Sequence, residues 1–122
     1  LMIYGNIMDP KRGEIWWVDF EPVQGAEIGK KRPAVIVSSD SIGVLPLRII
    51  VPITTWQASF TSKPWLIKIK KTDRNGLQQD SAADAFQLKS VSISRFDKRI
   101  GIIGDAAISD IAIGIGICIG MK

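Results

Sequence analysis

A chain of 122 residues has room for one domain and one modest core, and 46 % apolar with 23 % charged residues is an ordinary globular balance, so a disordered chain is not expected. Sixteen Lys and Arg against twelve Asp and Glu leave a net charge of +4, which suits an anionic partner and equally suits a plain basic surface. There is no histidine, and the one cysteine is Cys118, so histidine acid–base catalysis, zinc sites on the usual ligands and an internal disulfide are all excluded.

Residues 1–10 read as an N-terminal extension that begins with Leu1 rather than Met, so a processing remnant is open there. The stretch has no basic flank and no small-residue cleavage pattern, and no signal peptide is expected. Residues 11–122 read as a single domain. Pro10 to Gly13 is a break, and Glu14 to Phe20 (EIWWVDF) is aromatic and β-branched, as a strand requires. Its adjacent Trp16 and Trp17 must face opposite sides. Core packing is the expected use of both, with base stacking or a dimer contact as the alternative for one.

Val23 to Arg32 is a Gly-containing polar loop, and Pro33 to Ser38 a buried strand. Leu47 to Thr54 (LRIIVPIT) is a further strand, in which Pro52 implies an edge or a bulge. Trp65 to Lys71 alternates apolar and basic residues, so it is a half-exposed strand with Lys68 and Lys70 outward. Asp73 to Gly76 is a turn whose Asn75-Gly76 pair fits a hairpin. One or two short strands fall within Ser81 to Ser94. Phe96 to Arg99 reads as a helical turn, and Ile100 to Ile103 as a last strand.

The tail is ambiguous. Ile111, Ile113, Ile115, Ile117 and Ile119 recur with period two, which argues for a strand. Gly114, Gly116 and Gly120 would each cost a helix about 1 kcal/mol relative to Ala. Ile111 to Met121 is too short for the ~20 apolar residues of a membrane span, so no membrane association is expected, and the expected location is cytoplasmic. Short strands separated by turns point to a small barrel or sandwich.

The chemistry concentrates in Gly25 to Pro33 (GAEIGKKRP). Its glycines permit close approach to a ligand, and Lys30, Lys31 and Arg32 attract phosphate. Arg presents a planar fork that meets two phosphate oxygens at once. A carboxylate such as Glu27 can take or relay a proton, and the hydroxyl of Thr54, at a neighbouring strand end, can hold an oxygen. On the residues alone, KKR is equally a solvated surface run and Thr54 a plain strand-end residue.

Three blocks carry a resemblance. Arg12 to Asp40 reads RGEIWWVDFEPVQGAEIGKKRPAVIVSSD, Val51 to Thr55 reads VPITT, and Ser81 to Phe96 reads SAADAFQLKSVSISRF, followed by KRIG at Lys98 to Gly101. In order and spacing these resemble the MazF/PemK family of toxin endoribonucleases, from about Lys11 to the C-terminus. The resemblance implies a mainly β, SH3-like small barrel with a C-terminal helix, so a helix is expected at the tail despite its period-two pattern. It implies cleavage of single-stranded RNA, often mRNA, leaving a 2′,3′-cyclic phosphate and a 5′-hydroxyl. The implied partners are a cognate antitoxin, a second copy in a homodimer, and operator DNA only as the toxin–antitoxin complex. No cofactor and no metal is expected.

By the same resemblance Arg32 and Thr54 are catalytic, with Glu27 beside them. Lys30, Lys31, Gln87, Lys89 and Asp84 are the expected RNA-binding residues. Some family members use an Arg and an Asp just before the glutamine as acid and base; Asp84 and Phe86 stand there, so that scheme does not transfer. The general base is left between Glu27 and Asp84, with Glu27 ahead because its loop carries Arg32, and Asp84 is equally readable as a structural acceptor. Two rivals remain: a CcdB-like toxin that binds gyrase and cuts nothing, and an inactive RNA-binding barrel. The Gly-rich basic loop with Arg32-Pro33 and Thr54 favours the cutting branch.

Overall fold

The computed structural model describes residues 8–42 and 44–121; most of the N-terminal extension lies outside them. Seven strands follow in chain order: β1 (Glu14–Asp19), β2 (Lys31–Ile36), β3 (Leu47–Thr55), β4 (Leu66–Ile69), β5 (Ser81–Asp84), β6 (Lys89–Ser92) and β7 (Phe96–Ile102), and then one helix, α1 (Asp105–Cys118). The hydrogen-bonded order is β4-β5-β3-β2-β1-β7, with β6 on β3. The barrel implied by the family pattern is thus a sheet with one C-terminal helix whose ladders stay open.

Two faces of this sheet are buried, and the period-two patterns divide accordingly. Ile15, Val35, Val51 and Ile53 point to one core, with Ile108 and Ile111 of α1. Trp16, Val18, Phe20, Ala34, Ile36 and Ile50 point to the other. Burial on both faces explains why β2 and β3 are nearly continuous apolar runs. β3 is long because it is shared: Leu47–Ile50 pair with β6 and Ile53–Thr55 with β5. Pro52, which lacks an N–H, lies in the gap between those two ladders, so a proline is tolerated in a central strand.

Two expectations are corrected, and an ambiguity at the tail is resolved. Phe96 to Arg99 is strand, paired with β1 through Trp16↔Arg99 and Val18↔Phe96; the helical turn falls earlier, at Ile93–Arg95. Asn75-Gly76 does not make a two-residue hairpin, although β4 and β5 are antiparallel. The connection is longer, because the buried Asn75 side chain is its organiser. It donates to the Lys70 carbonyl at 2.8 Å and accepts the Thr72 and Leu77 N–H groups, each at 3.0 Å. At the tail the expected helix stands, against the period-two pattern. Ile108, Ile111 and Gly114 recur every three residues along the buried side, and Gly114 lets α1 approach Ile67 and Ala85. The intervening Ile113 and Ile117 are exposed. Gly120, at φ +86°, ends the helix, with the Met121 N–H on the Gly116 carbonyl at 2.8 Å.

Gly116 is different from Gly114. A Cβ there would meet only Met121, at an ordinary 3.5 Å. Gly116→Ala is therefore expected to stabilise the protein by about 0.5–1 kcal/mol through helix propensity. Thermal denaturation checks this: a melting temperature below that of the parent would refute it.

Candidate active site

The β2–β3 ladder pairs Ala34 with Pro52 and Val35 with Val51. Carried two residues further, that register sets Arg32 opposite Thr54, where the strands diverge. The divergence opens a cleft of about 600 Å³ that both residues line. Five lining residues are basic (Lys30, Lys31, Arg32, Lys98 and Arg99) and none is acidic. Arg99 is paired with Glu14 at 3.2 Å and Lys31 with Asp97 at 3.6 Å. Lys30, Arg32 and Lys98 have no carboxylate within ion-pair distance among the described residues, so the cleft carries uncompensated positive charge.

Arg32 is half-buried, and its Nε donates to the Gly29 carbonyl at 3.0 Å. That bond aims the guanidinium and leaves its two terminal nitrogens without protein partners among the described residues. A free fork held at its base is the arrangement that meets two oxygens of a phosphate. The Thr54 hydroxyl also makes no protein hydrogen bond among the described residues.

The loop ahead of Arg32 is tied down at several points. The Glu21 carboxylate accepts the Lys30 N–H at 2.7 Å, and the Phe20 N–H donates to the Lys30 carbonyl at 3.0 Å. Lys30 sits at φ +66°, a left-handed conformation unusual for a residue with a Cβ. These two bonds on its own backbone hold it there. Arg95 braces the loop's start by donating to the Asp19 and Glu21 carbonyls. Glu27 accepts the Gln24 N–H at 2.6 Å, closing a local turn.

The structure separates the expected site residues into two groups. Arg32, Thr54, Lys30 and Lys31 share the cleft. Glu27, Gln87 and Lys89 line a second hollow of about 210 Å³ beside Phe86 and Pro52. Gln87 there holds the loop, accepting from the Ile28 N–H at 3.4 Å and donating to the Ala26 carbonyl at 3.3 Å. Asp84 lines neither hollow. It accepts the Phe86 N–H at 3.2 Å and caps the short turn Ala85–Gln87. Burial pushes its carboxyl above the usual range, against the lowering effect of its backbone hydrogen bonds. Cys118 is raised as well, by burial and then by the charge of Asp84, so its thiol is protonated at neutral pH.

Sequence reasoning assigned no site role to Gln79, Lys98 or Arg99 and gave base stacking only as the alternative use of one of the two tryptophans; Trp17 and these three all line the cleft. The alternation of Trp16 and Trp17 was the available signal for Trp17. Gln79 arrives on a long connection with no period to read. A third hollow, of about 300 Å³, surrounds Arg48 and includes Asp9 and Asp40. Arg48 is committed there to Asp9 at 3.1 Å and to the Pro10 carbonyl at 2.9 Å, so it anchors the chain before β1. Among the described residues no group of three or more Cys, Asp or Glu side chains is placed to hold a metal ion.

Residues 11–119 match the sequence profile of the PemK-like, MazF-like toxins of type II toxin–antitoxin systems. The chain belongs to this family. It is 34 % identical over 107 residues to Endoribonuclease MazF9 of Mycobacterium tuberculosis, covering 83 % of this chain and 88 % of that protein. It is 26 % identical over 111 residues to Endoribonuclease MazF of Staphylococcus saprophyticus, covering 91 % and 92 %. The crystal structure of MazF from Deinococcus radiodurans superposes with a TM-score of 0.76 at 23 % identity, over 92 % of this chain and 97 % of the other. A mycobacterial endoribonuclease, solved in complex with its cognate antitoxin, gives 0.72 at 16 % identity, over 93 % and 98 %. These MazF-like folds share the antiparallel sheet and C-terminal helix described above. In this family member the two strand ends that carry Arg32 and Thr54 meet at the basic cleft.

Proposed function

We propose that this chain is a ribosome-independent, sequence-specific endoribonuclease toxin that cuts single-stranded RNA, mRNA above all, and is neutralised by a cognate antitoxin. The supporting observation is the free Arg32 fork across from Thr54 in a cleft lined by basic and no acidic residues. The named relatives are endoribonucleases, and a structural neighbour is held by its antitoxin.

The chemistry follows from the substrate. The 2′-hydroxyl loses its proton and attacks the adjacent phosphorus, negative charge builds on the phosphoryl oxygens, and the 5′-oxygen leaves and takes a proton. The products are a 2′,3′-cyclic phosphate and a 5′-hydroxyl. Arg32 meets the developing charge with two N–H groups, Thr54 donates to one oxygen, and Lys30 and Lys31 hold the flanking backbone. Glu27 is the preferred proton acceptor. It is exposed on the loop that carries Arg32, whereas Asp84 is half-buried and spent on its turn. Reaching the cleft requires Glu27 to leave the Gln24 N–H when RNA binds. Gln87 and Lys89 extend the RNA contact along the second hollow. The acting unit is residues 11–122 as a homodimer in the cytoplasm, and operator DNA is bound only as the toxin–antitoxin complex.

Incubation of the purified protein with long single-stranded transcripts in EDTA tests the reading. Cleavage is expected, with 5′ ends that polynucleotide kinase labels without prior phosphatase treatment. Intact transcripts, in EDTA and in magnesium alike, would overturn it in favour of a non-cleaving toxin.

A further inference from the structure

The two tryptophans of β1 have opposite fates. Trp16 is 9 % exposed, packs edge-on against Phe96 at 5.8 Å, and donates its indole N–H to Glu14 at 2.9 Å. Trp17 is 38 % exposed, lines the basic cleft, and has no partner for its indole N–H among the described residues. The ladder to β7 is irregular at this point. Trp16 pairs with Arg99 and Val18 with Phe96, so Trp17 alone stands against both Asp97 and Lys98. An extra residue of this kind re-aims the side chains around it. A large aromatic surface left in water among phosphate-seeking cations has lost burial free energy that the neighbouring Trp16 retains.

Across the same cleft, Gln79 is fixed by its Nε2 donating to Thr55 Oγ1 at 2.8 Å. Thr55 adjoins Thr54 on β3. The Gln79 amide oxygen has no protein partner among the described residues, so a residue that lines the cleft carries a free acceptor.

We infer that Trp17 and Gln79 form a base subsite next to the scissile phosphate, in which Trp17 stacks on an RNA base and the Gln79 amide oxygen accepts from that base's exocyclic amino group. This rests on the endoribonuclease reading above and adds a substrate preference to it. Stacking is indifferent to sequence because every base has a π-face. The acceptor is selective: adenine N6, cytosine N4 and guanine N2 carry amino donors, and uracil carries none. The subsite therefore discriminates against uracil.

The test is cleavage of a long transcript, with the 5′ ends sequenced, followed by kinetics on a short oligonucleotide containing the wild-type cut site. Trp17→Ala and Trp17→Leu are expected to lower kcat/KM on the order of 10–100-fold through KM, with kcat little changed. Trp17→Phe recovers most of this loss because it stacks, and Leu does not although it is equally apolar. Gln79→Leu is expected to admit uracil at one position of the motif, whereas Gln79→Glu still excludes it there. Thermal melting confirms that each variant is folded. If Arg32→Ala is inactive while Trp17→Leu matches wild type, or if Phe and Leu behave alike, the stacking role is overturned and the active-site reading stands. A wild-type motif with uracil at every position, or a motif unmoved by Gln79→Leu, overturns the amide's role. Failure of wild type to cut any RNA takes both down together.

Discussion

Arg32→Ala is expected to reduce RNA cleavage on the order of 10²–10³-fold or more in single-turnover assays, with little change in melting temperature. The size follows from what the side chain does. Removing one preorganised donor from a developing oxyanion typically costs that much, and Arg32 offers two donors and a charge. The small structural effect follows from its setting. Arg32 is half-buried at a strand end, and its protein hydrogen bond is the one to the Gly29 carbonyl. Arg32→Lys is a sharper probe, because it keeps the charge and loses both the fork and the Nε bond that aims it. It is expected to recover at most about tenfold of the lost activity. Thr54→Ala should lose less than Arg32→Ala, since a neutral donor is weaker, and Thr54→Ser should restore what is lost. Cleavage by Arg32→Ala within a few-fold of wild type would remove Arg32 from the mechanism.

The parts of this molecule that were legible in the sequence are those where one local rule sufficed. β1, β2 and β3 announce themselves because each is buried on both sides, and nothing competes with their apolar, β-branched residues. The Arg32-Pro33 step was legible because proline stiffens the entry to β2 and the basic run precedes it. α1 was not legible from its own pattern. Isoleucine at every second position meets both the strand rule and a helix in which only every third or fourth side chain is buried, and the choice is made by Ile67 and Ala85 packing on Gly114. β7 was missed because Asp97, Lys98 and Arg99 are exposed and polar, and its pairing with β1 is what makes it a strand. The separation of Glu27 from Arg32 was equally invisible. They lie five residues apart in sequence, but the loop between them turns at Lys30, and the bonds that hold that turn come from Phe20 and Glu21. In each case the deciding contact is distant in sequence.

Gly101→Ala is expected to destabilise the protein by about 3 kcal/mol or more, lowering the melting temperature on the order of 10 °C. Gly101 lies within β7 opposite Ile15, so alanine itself is conformationally acceptable. The obstacle is space. A Cβ there would lie 2.4 Å from the Asn75 carbonyl carbon and 2.5 Å from the Arg74 and Asn75 carbonyl oxygens. These are backbone atoms, held in turn by the buried Asn75 side chain, so they cannot step aside as a side chain would. The contact is reciprocal: Gly76, at φ +70°, would place a Cβ 2.4 Å from the Ile100 carbonyl oxygen. Two glycines therefore let the 70–80 connection and β7 touch backbone to backbone. Gly104→Ala, three residues on with nothing within 4 Å of the added Cβ, should cost no more than about 1 kcal/mol, the cost of alanine at the N-cap of α1, and serves as the control. Urea denaturation distinguishes the two, and a Gly101→Ala protein within 1 kcal/mol of wild type would refute the steric account. The same contact bears on activity. The connection brings Gln78 and Gln79 to the cleft, and β7 brings Lys98 and Arg99. Any Gly101→Ala protein that still folds should bind RNA more weakly than its residual stability alone explains, because the alanine prises apart the two walls that the glycines hold together.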